Sequence, residues 1–191
     1  MTRLSPRLLL FALVAIVVSA GCGAEDTEQT TAEVDCGGPP GEWLDETTGL
    51  IWEEPPNSSG PGYGVGYYAA IDYCDCLGDG WRVPTINELR SLIRGCASSE
   101  PDGTCLVDDP DCLDWTLCLD GCDGCPRAEG PGGDGCYWPD ELSSEWCFGS
   151  RNYWSISGGS VAAFEISFDS ALVGITNHGA HEYAVRCVKD E

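Results

Sequence analysis

Seventeen residues at 109–125, "DPDCLDWTLCLDGCDGC", hold four cysteines and five aspartates. Cys122 and Cys125 stand at the C-x2-C spacing of a zinc knuckle. Crowded aspartates supply the hard oxygen ligands that calcium takes. Cysteines in an oxidising compartment do something else again, which is to pair. The first question is therefore where the chain is sent.

The opening 22 residues answer it. Arg3 and Arg7 form a basic start, and Leu8 to Ala20 is an apolar run broken only by Ser19. Thirteen residues are too few for a bilayer span, which needs about 20, but they suit a secretory signal. "SAGC" then resembles a bacterial lipobox, with Cys22 as the lipidated first residue of the mature protein. A plain signal peptide cut nearby is the alternative. Several acyl chains would hold the protein stably to a membrane. Export makes disulfides the default, and 13 cysteines less Cys22 leave an even number.

The expected organisation is a signal at 1–21, an acidic tether at 22–35 and a folded domain at 36–191. Removing the signal leaves seven bases against 32 acids, a net charge of −25. That charge repels nucleic acid and sulfated polysaccharide, so neither is an expected partner. Gly23 follows Cys22 where an inner-membrane retention signal would place Asp. The expected address is the outer membrane or cell surface.

Within the domain, "EWLDETTGLIWEE" (42–54) alternates about "TTG" and predicts a hairpin turning at Glu46–Gly49. Residues 67–77 predict a helix with Tyr67, Ala70, Ile71, Cys74 and Leu77 on one face. Cys76 points away. Residues 85–93 predict a second helix, because Thr85 and Glu88 form a T-x-x-E capping box. Four short runs, 152–157, 161–169, 171–176 and 183–189, predict an antiparallel meander.

Residues 96–147 differ. They carry eight cysteines, thirteen acids and one base, Arg127. No apolar periodicity survives, so such a segment needs cross-links to hold a shape. Zinc lacks a second C-x2-C pair, and His178 and His181 lie far along the chain. The expectation is that Cys96, Cys105, Cys112, Cys118, Cys122, Cys125, Cys136 and Cys147 are all disulfide-bonded. Asp108, Asp109, Asp111, Asp114, Asp120 and Asp123 do not follow EF-hand spacing. A calcium site held by the loop and a solvated acidic face both fit them, and no cofactor is required.

Five motifs occur in order: D-x-x-T-G-L-x-W (Asp45–Trp52), A-x-x-Y-C-x-x-L (Ala70–Leu77), G-W-R-V-P-T-x-x-E-L-x-x-L (Gly80–Leu92), Y-W-S-I-S (Tyr153–Ser157) and Y-x-V-R-C-V (Tyr183–Val188). Together they resemble the Lcl C-terminal domain family, named for the terminal domain of a bacterial collagen-like adhesin. Val83 and Ile156 depart conservatively from the family's Leu and Ser. Residues 96–147 have no counterpart in the resemblance. It implies an α+β, C-type-lectin-like fold, with two helices, small antiparallel sheets and adjoining termini. It also implies a bridge from Cys74 to Cys187, after which Cys36 and Cys76 remain in the core region to pair with each other. Trp52, Trp81 and Trp154 then belong to the core, and Arg82 and Arg186 to structural hydrogen bonds.

In that fold the long loop region is the usual ligand surface, which is where the insertion falls. Its aromatics, Trp115, Tyr137, Trp138 and Trp146, are the candidate ligand-binding residues. Packing on the disulfides as a mini-core is their other reading. The E-P-N, Q-P-D and W-N-D signatures of calcium-dependent lectins are absent. So are the nucleophile elbow, the H-E-x-x-H zinc motif and the phosphate-binding loop. "HGAH" (178–181) reads as a plain turn. The expected protein is a non-enzymatic envelope lipoprotein, bound to the membrane by its lipid, that recognises a glycan or a surface protein. A structural lipoprotein without a discrete ligand is the alternative.

Overall fold

A computed structural model describes residues 36–54, 62–107, 119–142, 147 and 152–191. Cys22, the expected lipidation site, and residues 22–35, the expected tether, lie outside the described residues. So do Cys112, Cys118, Trp115, Trp146, Asp108, Asp109, Asp111 and Asp114.

Strands β1 (Gly41–Asp45) and β2 (Leu50–Glu54) form the predicted hairpin, with Trp43 opposite Trp52. Asp45 explains the "D-x-x-T-G" pattern. Its carboxylate accepts from the Thr47 amide and the Thr48 hydroxyl, and its carbonyl accepts from the Thr48 and Gly49 amides. Gly49 completes the turn at φ +73°, a conformation that costs glycine nothing.

Helix α1 (Tyr67–Cys76) buries Tyr67, Ala70, Tyr73 and Cys74. Ile71 and Leu77 are only half-buried, and Tyr73 takes the place on the inner face that periodicity gave to them. Helix α2 (Ile86–Ser91) starts at Thr85 with both bonds of the capping box formed. The Thr85 hydroxyl accepts from the Glu88 amide at 3.2 Å, and the Glu88 carboxylate from the Thr85 amide at 2.7 Å. The helix is shorter than its apolar stripe. Leu92 and Ile93 continue it as a final turn through Leu89 and Arg90 carbonyls.

Strands β3 (Asn152–Gly158), β4 (Ala162–Ser167) and β5 (Leu172–Asn177) form an antiparallel meander. The expected fourth strand does not join it. Residues 183–184 run instead along the outer side of β3, where Ala184 bridges Tyr153 in parallel and Tyr183 bridges Val65. The chain then forms β6 (Val188–Asp190) against β2, with Val188 opposite Trp52. The physical cause is Cys187, which is bonded to Cys74 and held by the Glu53 carboxylate through its amide. The two small antiparallel sheets are thus β1-β2-β6 and β3-β4-β5, and the first joins the two ends of the domain.

The main core gathers Trp52, Ile86, Leu89, Leu92, Ile93, Phe164, Ile166, Phe168 and Val188. It also takes in Cys96, Cys105, Val107, Cys122, Cys136, Tyr137, Trp138, Leu142 and Cys147. The described residues of the cysteine-rich segment therefore contribute to the core itself. A second cluster holds Tyr67, Ala70, Tyr73, Cys74, Trp81, Val83, Trp154, Ala163, Val185 and Cys187. Trp52, Trp81 and Trp154 are all buried, as expected of core residues.

Candidate ligand-binding site

The cysteines settle the character of the scaffold. Cys74 bonds Cys187, and Cys36 bonds Cys76. In the insertion the pairs are Cys96–Cys125, Cys105–Cys122 and Cys136–Cys147. Cys122 and Cys125 go to different partners, which rules out the zinc-knuckle geometry for them. Among the described residues, no three His, Cys, Asp or Glu side chains gather as metal ligands. Asp120 and Asp123, the two calcium candidates described, are both exposed.

Tyr137 and Trp138 do not offer a ligand surface, which corrects their placement as binding residues. Trp138 is fully buried, its ring 5.0 Å from Phe168 and 5.7 Å from Tyr153. Tyr137 is also buried and donates its hydroxyl to the Pro126 carbonyl at 2.7 Å. Arg90, unremarkable in the sequence, organises the same segment. It is buried in α2 and donates to the carbonyls of Ser99, Glu100, Cys105 and Val107. One guanidinium thus ties together the nine residues of irregular backbone from Ser99 to Val107, whose carbonyls would otherwise be costly to bury.

Every described base is committed to a structural partner. Arg82 forks onto Glu88 and reaches Asp190. Arg94 donates to the Ser91 and Ile93 carbonyls, and Arg127 pairs with Asp169. Arg186 is buried, donating to the Glu53 and Leu142 carbonyls. Lys189 pairs with Glu42 and lies over the Trp81 ring. The expectation that Arg82 and Arg186 serve structure is met.

Among the described residues, one exposed hollow lies beside the start of α1. A shallow depression of about 500 Å3 is lined by Gly66, His178, Gly179, Ala180, His181 and Glu182. The turn after β5 builds one wall, held by bonds from the Ala180 amide to Asn177 and from the His178 amide to Val161. The start of α1 builds the other. His178 stacks on Tyr67 at 3.8 Å and lies edge-on to Tyr68, whose hydroxyl is 3.4 Å from its Nδ1. His181 stacks on Tyr183 at 5.3 Å, and Tyr183 tilts onto Trp154. Tyr68 stands 63% exposed at the edge. The "HGAH" turn thus carries an aromatic surface that its sequence alone did not disclose. The signal was there only as two histidines three apart, and the tyrosines against His178 lie more than a hundred residues earlier.

No described helix is long and apolar enough to cross a membrane. No curated protein and no solved structure matches this chain. The family model of the Lcl C-terminal domain matches residues 41–189, from the first strand of the hairpin to the last strand of the same sheet. The motifs and the Cys74–Cys187 bridge fall inside that span, and the chain belongs to the Lcl C-terminal domain family.

Proposed function

We propose that this protein is a non-enzymatic adhesion or binding lipoprotein of the bacterial envelope, anchored through Cys22 in the outer membrane and built on a C-type-lectin-like fold. Two helices, two small antiparallel sheets and termini joined in β1-β2-β6 support that fold. The observation that carries the binding role is the open depression between the start of α1 and the His178–Glu182 turn, lined by two imidazoles with the exposed Tyr68 ring edge-on to His178, on a disulfide-tied frame. Rigid frames that present exposed aromatics suit recognition of sugar faces. A glycan is the favoured ligand.

Burial of Tyr137 and Trp138 favours a second reading, a structural lipoprotein whose cross-linked insertion serves robustness alone. The two are separated by screening the mature lipoprotein, purified in detergent, on a broad glycan array with calcium and again with chelator. Saturable binding is the expected result. A blank array in both conditions would leave the structural reading standing. Anchoring is tested separately: Cys22→Ala should move the protein from the membrane fraction to the soluble one.

A further inference from the structure

We propose that the depression lined by His178, His181 and Glu182 binds an amine-bearing saccharide, one segment of a glucosamine-type polymer laid across Tyr68; this rests on the glycan-binding reading above. Three observations lead there independently of the family.

The first is shape. A volume of about 500 Å3 lies within the roughly 300–1,000 Å3 of small-molecule sites. The hollow is shallow, so it suits an internal unit of a chain better than an engulfed monomer. The second is chemistry. The Tyr68 ring is exposed, and the His178 and His181 rings are braced from behind by Tyr67 and Tyr183. A sugar's C–H face can lie on such rings, and an ammonium gains further attraction from an aromatic face.

The third is charge. Glu182 lies in the rim, exposed. Asp72, also exposed, follows Tyr68 by four residues on α1 and so shares its face. No lysine or arginine is among the described residues lining the hollow, and every described base elsewhere is already engaged. The chain as a whole carries −23. A sulfated or carboxylated polymer would meet repulsion with nothing to offset it. A protonated amine meets carboxylates able to form charge-assisted hydrogen bonds.

The test is calorimetric titration of the mature lipoprotein in detergent with three probes: a glucosamine hexamer, its fully N-acetylated counterpart, and heparin. The glucosamine hexamer is expected to bind, with heparin giving no heat. Tyr68→Ala should weaken the hexamer at least tenfold, and Glu182→Gln should weaken it while leaving the melting temperature unchanged. Tyr68→Ala leaves net charge untouched, so it distinguishes a site from general attraction of a polycation to an acidic protein. His181→Ala provides a second exposed variant should the first perturb α1. Equal or tighter binding of the acetylated hexamer or heparin overturns the proposal. So does glucosamine binding indifferent to Tyr68→Ala and His181→Ala. Either result leaves a wider glycan-binding role intact, whereas silence on every glycan of the array overturns both.

Discussion

The guanidinium carbon of Arg186 stands 4.8 Å from the ring centroid of Trp138. One residue belongs to the last family motif and the other to the cysteine-rich insertion. Their stacking, with the Arg186 bonds to the carbonyls of Glu53 and Leu142, joins the hairpin, the insertion and the C-terminal segment at one point. Trp138→Ala should therefore act on stability and not on a ligand. The expected loss is about 3–5 kcal/mol, the usual cost of emptying a buried indole site. Urea denaturation followed by circular dichroism measures it, and a loss below about 1 kcal/mol would mean the ring is not a core residue.

Bridge removal should follow loop length. Cys74–Cys187 spans 113 residues, Cys36–Cys76 spans 40 and Cys136–Cys147 spans 11. In the chain-entropy picture their paired alanine variants lose about 5, 4 and 3 kcal/mol respectively, the first an upper bound because other bridges shorten its loop. Thermal melts of the three variants give the order. Alkylation of the native protein, purified without reductant, should label no cysteine of 96–147. Four or more reactive thiols there would contradict a fully bonded insertion.

Thr85→Ala removes one half of the capping box, whose two bonds measure 2.7 and 3.2 Å. About 1 kcal/mol of stability should go with it. Glu88 binds Arg82 with the same carboxylate that closes the box, so Glu88→Ala should cost more than Thr85→Ala. A Glu88→Ala loss no larger than that of Thr85→Ala would show that the Arg82 fork adds nothing.

Local chemistry made some elements legible and left others dark. The hairpin could be read because Asp45, Thr48 and Gly49 make their turn from adjacent residues. Helix α2 could be read because its cap lies within four positions. The departure of the last segment from the meander could not, since it depends on Cys187 meeting Cys74 and Val188 meeting Trp52, both pairings across more than a hundred residues. The insertion was opaque for another reason. Its buried Cys105, Val107, Trp138 and Leu142 obey no helix or strand period, and their order comes from bridges and from Arg90 reaching over from α2. Of the site, the aromatic types were visible, but their assembly was not. His178 and Tyr67 come together only through the fold.

Glu165 gives the fold a dependence on pH. It sits at the centre of the middle strand β4, only 6% exposed, across from Gly174 on β5. A Cβ at Gly174 would collide with Glu165 Oε1, so the glycine makes room for the carboxyl. Asn152 hydrogen-bonds it, yet its Oε2 has no partner among the described residues. Burial pushes its pKa up from 4.5 to about 7, with the Asn152 bond opposing. The folded state then holds a proton that the unfolded state releases. The stability this contributes is fully present below about pH 4.5 and is lost as pH rises to about 7, a fall on the order of 3 kcal/mol. Glu53, also raised chiefly by burial, adds a slope of the same sign. Glu88 is lowered, because its bonds from Arg82 and Thr85 outweigh its burial, and it contributes the opposite slope at more acid pH. Glu165→Gln mimics the protonated carboxyl at every pH. Its denaturation midpoint should match the parent near pH 4.5 and exceed it at pH 8, with a flatter profile between. Parallel profiles for the two proteins would mean that Glu165 is ionised in the fold and finds a partner there.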